Sequence, residues 1–368
     1  MEIIGEEESV AKSTLCDEYG DTSGSKGHTA STACCICGGG IVTKFNPSPS
    51  IVPTYAPSHQ PTLSSSPTVT AAPTNDEVIA LKAIFYSTNG TGWTNSEKWL
   101  SNESFCFWHG VHCDQDNRVI YLSLPENNLA GSLPSKISTL MHLRALRLSR
   151  NNITGTIPDA LWSLQNLKVI DLSYNSLTNS IPSAIGALLK LNYIALNGNN
   201  LTSSIPSEIL PLENLQHLDL SHNGLNGSLP TMVEDAFDDM QFLSLGHNYL
   251  EGPLPDYIWD HEDFMYLSLS KNHFNGTISD EVGKMIDLEY LLLDSNSFTG
   301  NIPTTIRSLN RLYFLSLGLN SFDGTVPEDI CFIRENGYLE HLWADCDDNT
   351  CNCCTACCDR SIRVCKEQ

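Results

Sequence analysis

Between residues 119 and 320 the apolar positions fall into one recurring frame, LxxLxLxxN, seen as LRALRLSRN at 143–151, LQHLDLSHN at 215–223 and LYFLSLGLN at 312–320. Its closing residues are Asn127, Asn151, Asn175, Asn199, Asn223, Asn248, Asn272, Asn296 and Asn320, spaced by 24 residues with a single step of 25. Alternating leucines predict a short strand whose apolar face points inward. One such strand cannot bury that face alone, so neighbouring coils must supply the other wall. Each asparagine falls where the chain turns inside the stack, and its amide offers both donor and acceptor to backbone groups there. Nine repeats of this arrangement predict an asparagine ladder.

After each asparagine comes a second frame, LxGxIP, complete in NNITGTIPDALWSLQN at 151–166. Proline fills its last place in eight of nine coils, Ser279 being the exception; glycine is present in seven, with Asn179 and Ser203 as the exceptions. A period of 20–29 residues with this pattern marks leucine-rich repeats. Over roughly residues 75–345 the chain resembles the plant-type class of leucine-rich-repeat proteins, found in receptor-kinase ectodomains and in secreted inhibitors of wall-degrading enzymes. The resemblance implies an α/β repeat solenoid: a right-handed horseshoe with a concave parallel β-sheet, a secondary β edge, and convex 3-10 turns and short helices. Coil five departs from the frame by an extra residue within TMVEDAFDDM. Its acidic group Glu234, Asp235, Asp238 and Asp239 reads as a solvated loop rather than a calcium site.

Open solenoid ends expose core and need covers. At the front, Thr74 and Glu77 form a capping-box pattern before the apolar helix signal EVIALKAIF. CFWHGVHC follows at 106–113 and resembles the plant-type N-terminal cap, which implies that Cys106 pairs with Cys113. At the back, LEHLWADC keeps the strand leucines but loses the asparagine, and a cysteine cluster begins at once. CNCCTACC at 351–358 has the density of a soft-metal cluster or of an oxidised cap. Its place beyond the last strand favours the cap, with Cys331, Cys346, Cys351, Cys353, Cys354, Cys357, Cys358 and Cys365 bridged among themselves. Adjacent cysteines should take different partners, because a ring closed between neighbours is strained. Spacing does not choose among the connectivities.

The expected division is a cysteine-rich head at 1–42, a Pro/Ser/Thr linker at 43–73, an N-terminal cap at 74–118, nine coils at 119–338, and a terminal strand with cysteine-rich cap at 339–368. The head weakly resembles ShK-like modules. The linker reads as an extended, O-glycosylatable spacer reaching about 100 Å at about 3.1 Å per residue. Fourteen cysteines in even groups point to an oxidising compartment. The start, MEIIGEEESV, lacks the basic and apolar regions of a signal peptide. The expectation is therefore a fragment or a misplaced start, with a signal peptide or anchor upstream. A formal charge of −23 opposes nucleic acid and anionic lipid as partners. No apolar stretch is long enough to span a membrane.

No HExxH, nucleophile elbow or phosphate loop occurs, so no catalytic residues or cofactors are expected. The working surface should be the outward face of the strands. The third place of the frame reads Tyr193, His217, Phe242, Tyr266, Tyr290 and Phe314 in six consecutive coils. At about 4.8 Å per strand this line spans about 24 Å. The eighth place adds Arg150, Tyr174, His222, His247 and Lys271, while the fifth is mostly small. Aromatic rings with a polar rim suit an extended peptide, a protein or a glycan. The sequence thus reads as an extracellular or cell-surface recognition module and not an enzyme. The alternatives are a structural or adhesive matrix protein, or an inhibitor of a secreted hydrolase. Six sequons, at Asn89, Asn102, Asn152, Asn200, Asn226 and Asn275, are compatible with a glycoprotein.

Overall fold

A computed structural model describes residues 75–231, 237, 239–346, 351, 353–359 and 364–367. The chain divides into two units, Met1–Pro67 and Thr68–Gln368. The cysteine-rich head, its ShK-like resemblance, the linker, Thr74, and Glu234, Asp235 and Asp238 lie outside the described residues.

Among the described residues the inward leucines form a main sheet of thirteen strands, one per coil with extra strands at each end. From Val119–Ser123 to His341–Asp345 the strands run parallel and in register, so each frame position stacks on its equivalent in the next coil. Leu146, Ile170, Ile194, Leu218, Leu243, Leu267 and Leu291 form one of the buried apolar rows. The LxGxIP frame builds a second, nine-stranded parallel sheet, from Ala130–Gly131 to Ser321–Phe322.

The two exceptions to the glycine explain its role. Gly155, Gly227, Gly252, Gly276, Gly300 and Gly324 have φ of +73° to +86°, and Asn179 and Ser203 adopt the same left-handed conformation at +72° and +73°. Glycine reaches this region without a Cβ penalty. The proline sits at the entrance of each convex turn, as Pro134 does before the 3-10 helix Ser135–Thr139 and Pro158 before Asp159–Ser163. Its ring presets the extended φ needed there. Ser279 takes this place in coil seven, and its hydroxyl accepts a hydrogen bond from the N–H of Glu281. A serine cap therefore substitutes for a proline entrance.

Both ends of the main sheet turn antiparallel. Val111–Cys113 pairs antiparallel with Val119–Ser123, and Val364–Glu367 pairs antiparallel with Ala356–Asp359. Each end strand is held by a disulfide: Cys106–Cys113 at the front and Cys358–Cys365 at the back. Cys331–Cys353, Cys346–Cys357 and Cys351–Cys354 complete the rear cap. The cysteine cluster is thus an oxidised cap. The front cap holds helix Asn75–Ser87 against the first coil over Phe85, Trp93, Trp99 and Trp108. Glu77 lies inside this contact rather than only at a helix start. Its Oε1 accepts the N–H of Val119 at 3.1 Å, and burial pushes its carboxyl above the usual range.

Candidate functional site

All nine asparagines of the ladder face the interior turn. Asn199 is typical: its Nδ2 donates to the carbonyls of Leu172 and Leu196 at 3.0 Å, and its Oδ1 accepts Leu177 N–H at 2.9 Å. Asn175, Asn223, Asn248, Asn272, Asn296 and Asn320 repeat this bridge to the preceding coil. Asn151 bonds the N–H groups of Asn127 and Leu129, and Asn127 instead ties the front cap through Asn95. Each amide satisfies backbone groups that a packed turn would otherwise strand.

The residue before each ladder asparagine occupies the left-handed region. Arg150, Tyr174, His222, His247 and Lys271 have φ of +51° to +56°. This region costs roughly 1–2 kcal/mol for a residue with a Cβ. It sets the direction of the eighth-place side chains in every coil. Arg150 lies over the Tyr174 ring at 4.7 Å, and His222 stacks on His247 at 3.9 Å. Burial and neighbouring Lys271 hold both imidazoles below their usual range, His247 at about 3 with a further push from His222.

The third-place line is brought together by register: Tyr193, His217, Phe242, Tyr266, Tyr290 and Phe314 are successive strand partners. The first four rings form a parallel stack. Centroids are 4.1 Å apart for Tyr193–His217 and His217–Phe242 and 4.3 Å for Phe242–Tyr266, with planes within 13°. The stack hides its own members. Tyr266 is 3% exposed, His217 6% and Phe314 7%, so outward direction on the strand is not exposure. The outward line expected as the working surface is therefore largely covered at those three. Tyr193, Phe242 and Tyr290 remain partly exposed.

At the fifth place of the main-sheet strands lie buried polar groups. Asp171 and Asp219 accept from the hydroxyls of Ser173 and Ser221 at 2.6 and 2.7 Å. Burial raises the Asp219 carboxyl to about 6, against the donors from Ser221. Burial alone lowers His217 to about 3, and its Nε2 has no hydrogen-bond partner among the described residues.

Beyond Tyr266 the arrangement changes. Tyr266–Tyr290 is tilted at 43° with centroids at 5.6 Å, and Tyr290 meets Tyr313 at 56°. The line continues past the last ladder asparagine to His341, the strand partner of Phe314. His341 touches Tyr313 and Phe314, and Trp343 meets Phe314 edge-on at 5.0 Å. The terminal strand was expected, but Tyr313, His341 and Trp343 were missed because the outward line was read only at the third and eighth places of the nine coils. The leucines Leu339 and Leu342 were the available signal.

The second sheet carries a different surface. Its outward positions over coils two to five read Asn152, Thr154 and Thr156; Ser176, Thr178 and Ser180; Asn200, Thr202 and Ser204; and Gly224, Asn226 and Ser228, with no charged residue. The hydroxyls of Thr154 and Thr178 donate to the carbonyls of Gly131 and Gly155 in the preceding coil.

Leucine-rich-repeat family models match residues 118–177, 165–225 and 287–309. The LRR ectodomain of the plant membrane receptor kinase GASSHO1/SCHENGEN3 from Arabidopsis thaliana superposes with a TM-score of 0.66 and 34% identity, over 73% of this chain and 32% of that one. The chain is a plant-type leucine-rich-repeat protein. That solved ectodomain is in complex with Casparian strip integrity factor 2. A plant ice-binding protein superposes with a TM-score of 0.59 and 26% identity, over 69% of this chain and 89% of that one. A probable inactive leucine-rich-repeat receptor-like protein kinase of Arabidopsis thaliana is 36% identical over 75 residues, 20% of this chain and 11% of that protein. This plant-type chain thus matches only a small part of its curated relatives' length.

Proposed function

We propose that this chain is an extracellular or cell-surface recognition module that binds an extended peptide or protein segment along its concave main sheet. The observation that carries the reading is the in-register aromatic line from Tyr193 to Phe314, flanked by Arg150, Tyr174, His222, His247 and Lys271. Aromatic rings give large contact area at low entropic cost, and a polar rim fixes register. The GASSHO1/SCHENGEN3 ectodomain that superposes on this chain is itself solved in complex with an integrity factor, which supports a ligand-binding role. The disulfide caps suit an oxidising compartment. Among the described residues no helix is long and apolar enough to cross a membrane. The reading is tested by screening secreted protein against displayed peptide and glycan libraries, then measuring Tyr290→Ser and Phe242→Ser against the recovered ligand. Each substitution should weaken binding by about 2 kcal/mol if the ring is an anchor; unchanged binding by both would overturn it.

One observation favours a second reading. The uncharged Thr/Ser/Asn rows of the second sheet are exposed and regularly spaced, and a protein named for binding ice superposes on most of its own length. An ice surface is the occupant this reading names. Freezing-point hysteresis that is lost on replacing Thr154, Thr178 and Thr202 with lysine would favour it over the peptide reading; no hysteresis would dismiss it.

A further inference from the structure

We propose that the second sheet is the glycan-bearing face of this protein, with N-linked oligosaccharide on Asn152, Asn200, Asn226 and Asn275. The proposal rests on the extracellular placement above and is independent of the ligand that the concave sheet takes.

The repeat frame decides where an acceptor can stand. N-glycosylation needs a serine or threonine two residues after the asparagine. Strand side chains alternate with a period of two, so both members of such a pair share one face. Two places after a ladder asparagine the chain is apolar and buried, as at Ile153, Leu201 and Phe274. The ladder is thereby excluded as an acceptor. On the outward places of the second sheet the pairing is open. Asn152 is followed by Thr154, Asn200 by Thr202, Asn226 by Ser228 and Asn275 by Thr277, and all of these residues are exposed. The four asparagines lie on the second-sheet strands Asn152–Thr156, Asn200–Ser203, Gly224–Gly227 and His273–Gly276.

The amides themselves are the second support. Asn151 uses its Nδ2 on the carbonyls of Leu124 and Leu148, so a sugar there would break the turn. Its neighbour Asn152 makes no side-chain hydrogen bond among the described residues, and neither do Asn200, Asn226 and Asn275. A bulky, hydrophilic substituent at these four places displaces no contact of the fold.

The disulfides are the third support. Five bridges form among the described cysteines, and the endoplasmic reticulum lumen that oxidises them is also where a polyprenyl-diphosphate oligosaccharide is presented to the chain. The asparagine Nδ2 forms a bond to the anomeric carbon of that donor and loses one proton. The bond from this carbon to the diphosphate oxygen breaks, and the polyprenyl diphosphate leaves with the electron pair.

The four sites fall in coils two, four, five and seven and so spread over about 24 Å at about 4.8 Å per strand. Sugar at this spacing shields the Thr/Ser/Asn rows from a flat partner. The other sequons, Asn89 and Asn102, lie in the front cap, and none falls on the main sheet. The glycosylated chain therefore keeps the concave sheet bare, and this proposal and the ice reading exclude each other.

The test uses the full chain secreted behind an export signal from a plant cell line. Its proteolytic peptides are treated with peptide N-glycosidase A in 18O water, which turns each occupied asparagine into a labelled aspartate. Label is expected at all four second-sheet asparagines. Asn152→Gln, Asn200→Gln, Asn226→Gln and Asn275→Gln should each lower the intact mass by one oligosaccharide. A secreted chain with its disulfides formed and these four asparagines unlabelled, or with label confined to Asn89 and Asn102, overturns the proposal and leaves the extracellular placement standing. A chain retained in the cell with free thiols and no label sinks both. Freezing-point hysteresis from the fully labelled chain overturns the shielding.

Discussion

The two sheets share a period, a direction and a chain, yet they present opposite surfaces. On the main sheet the outward third-place rings reach across strands and pack on one another, so that Tyr266 is nearly as buried as a core leucine. On the second sheet the outward residues of coils two to five are short, and Thr154 and Thr178 spend their hydroxyls on the preceding coil's backbone. The asparagine amides bond the backbone of both sheets, since the Leu177 N–H held by Asn199 belongs to the second sheet. The main sheet adds stacked rings and disulfide-closed ends, while the second sheet over coils two to five presents a polar exterior. Cross-strand side-chain pairs are the unit of sheet stabilisation, so a mutation's cost should depend on which sheet carries it.

The largest effect is expected at the rear cap. Replacing Cys346 and Cys357 with serine removes the bridge between the last two parallel strands and should cost about 2–4 kcal/mol, read as a lower denaturant midpoint. Asn199→Leu comes next. It strands the N–H of Leu177 and takes one of two amide donors from each of the carbonyls of Leu172 and Leu196, which Asn175 and Asn223 still serve, and should cost about 1–3 kcal/mol. Hydrogen exchange should accelerate first in coils three to five, because repeats couple mainly to neighbours. Tyr266→Ser should cost about 1–2 kcal/mol in lost stacking and burial. Thr202→Val on the second sheet should change stability by about 0.5 kcal/mol or less. Equal costs for Tyr266→Ser and Thr202→Val would erase the distinction between the sheets.

The main sheet should also be the pH-sensitive one, through His222 and His247 and through two groups of opposite sign in one strand. His217 falls from an ordinary 6.5 to about 3 on folding, so the folded state binds fewer protons and stability is lost as pH drops below 6.5. Asp219 rises from 3.8 to about 6, so the folded state holds its proton more tightly and stability is gained as pH falls through 6 towards 3.8. The two partly cancel in the parent. Because His222 and His247 also lose stability as pH falls, the comparison is with the parent: between pH 7 and 5 His217→Phe should lose less stability than the parent and Asp219→Asn more, as measured by urea midpoints at the two pH values.

The strand register and ladder were legible because the alternation of leucines and a single polar turn residue repeat without competition. Cys106–Cys113 was legible only through resemblance, since spacing alone does not choose partners. Exposure was not legible: the frame tells that Tyr266 points outward, but not that Phe242 lies 4.3 Å away and covers it. The role of Ser279 was hidden because a hydroxyl cap and a proline entrance look unrelated in sequence yet start the same turn. His341 and Trp343 escaped because the outward line was counted only over coils that close with an asparagine, whereas the sheet continues past them.

The central claim is that the concave main sheet is the working face. Hydrogen-exchange footprinting of the secreted chain with a ligand recovered from the peptide library tests it most directly. The account predicts protection along the strands from Tyr193–Ala195 to His341–Asp345, with Asn152–Thr156 and the other strands of the second sheet unchanged. Protection confined to the second sheet or to the convex turns, with the concave strands unaltered, would contradict it.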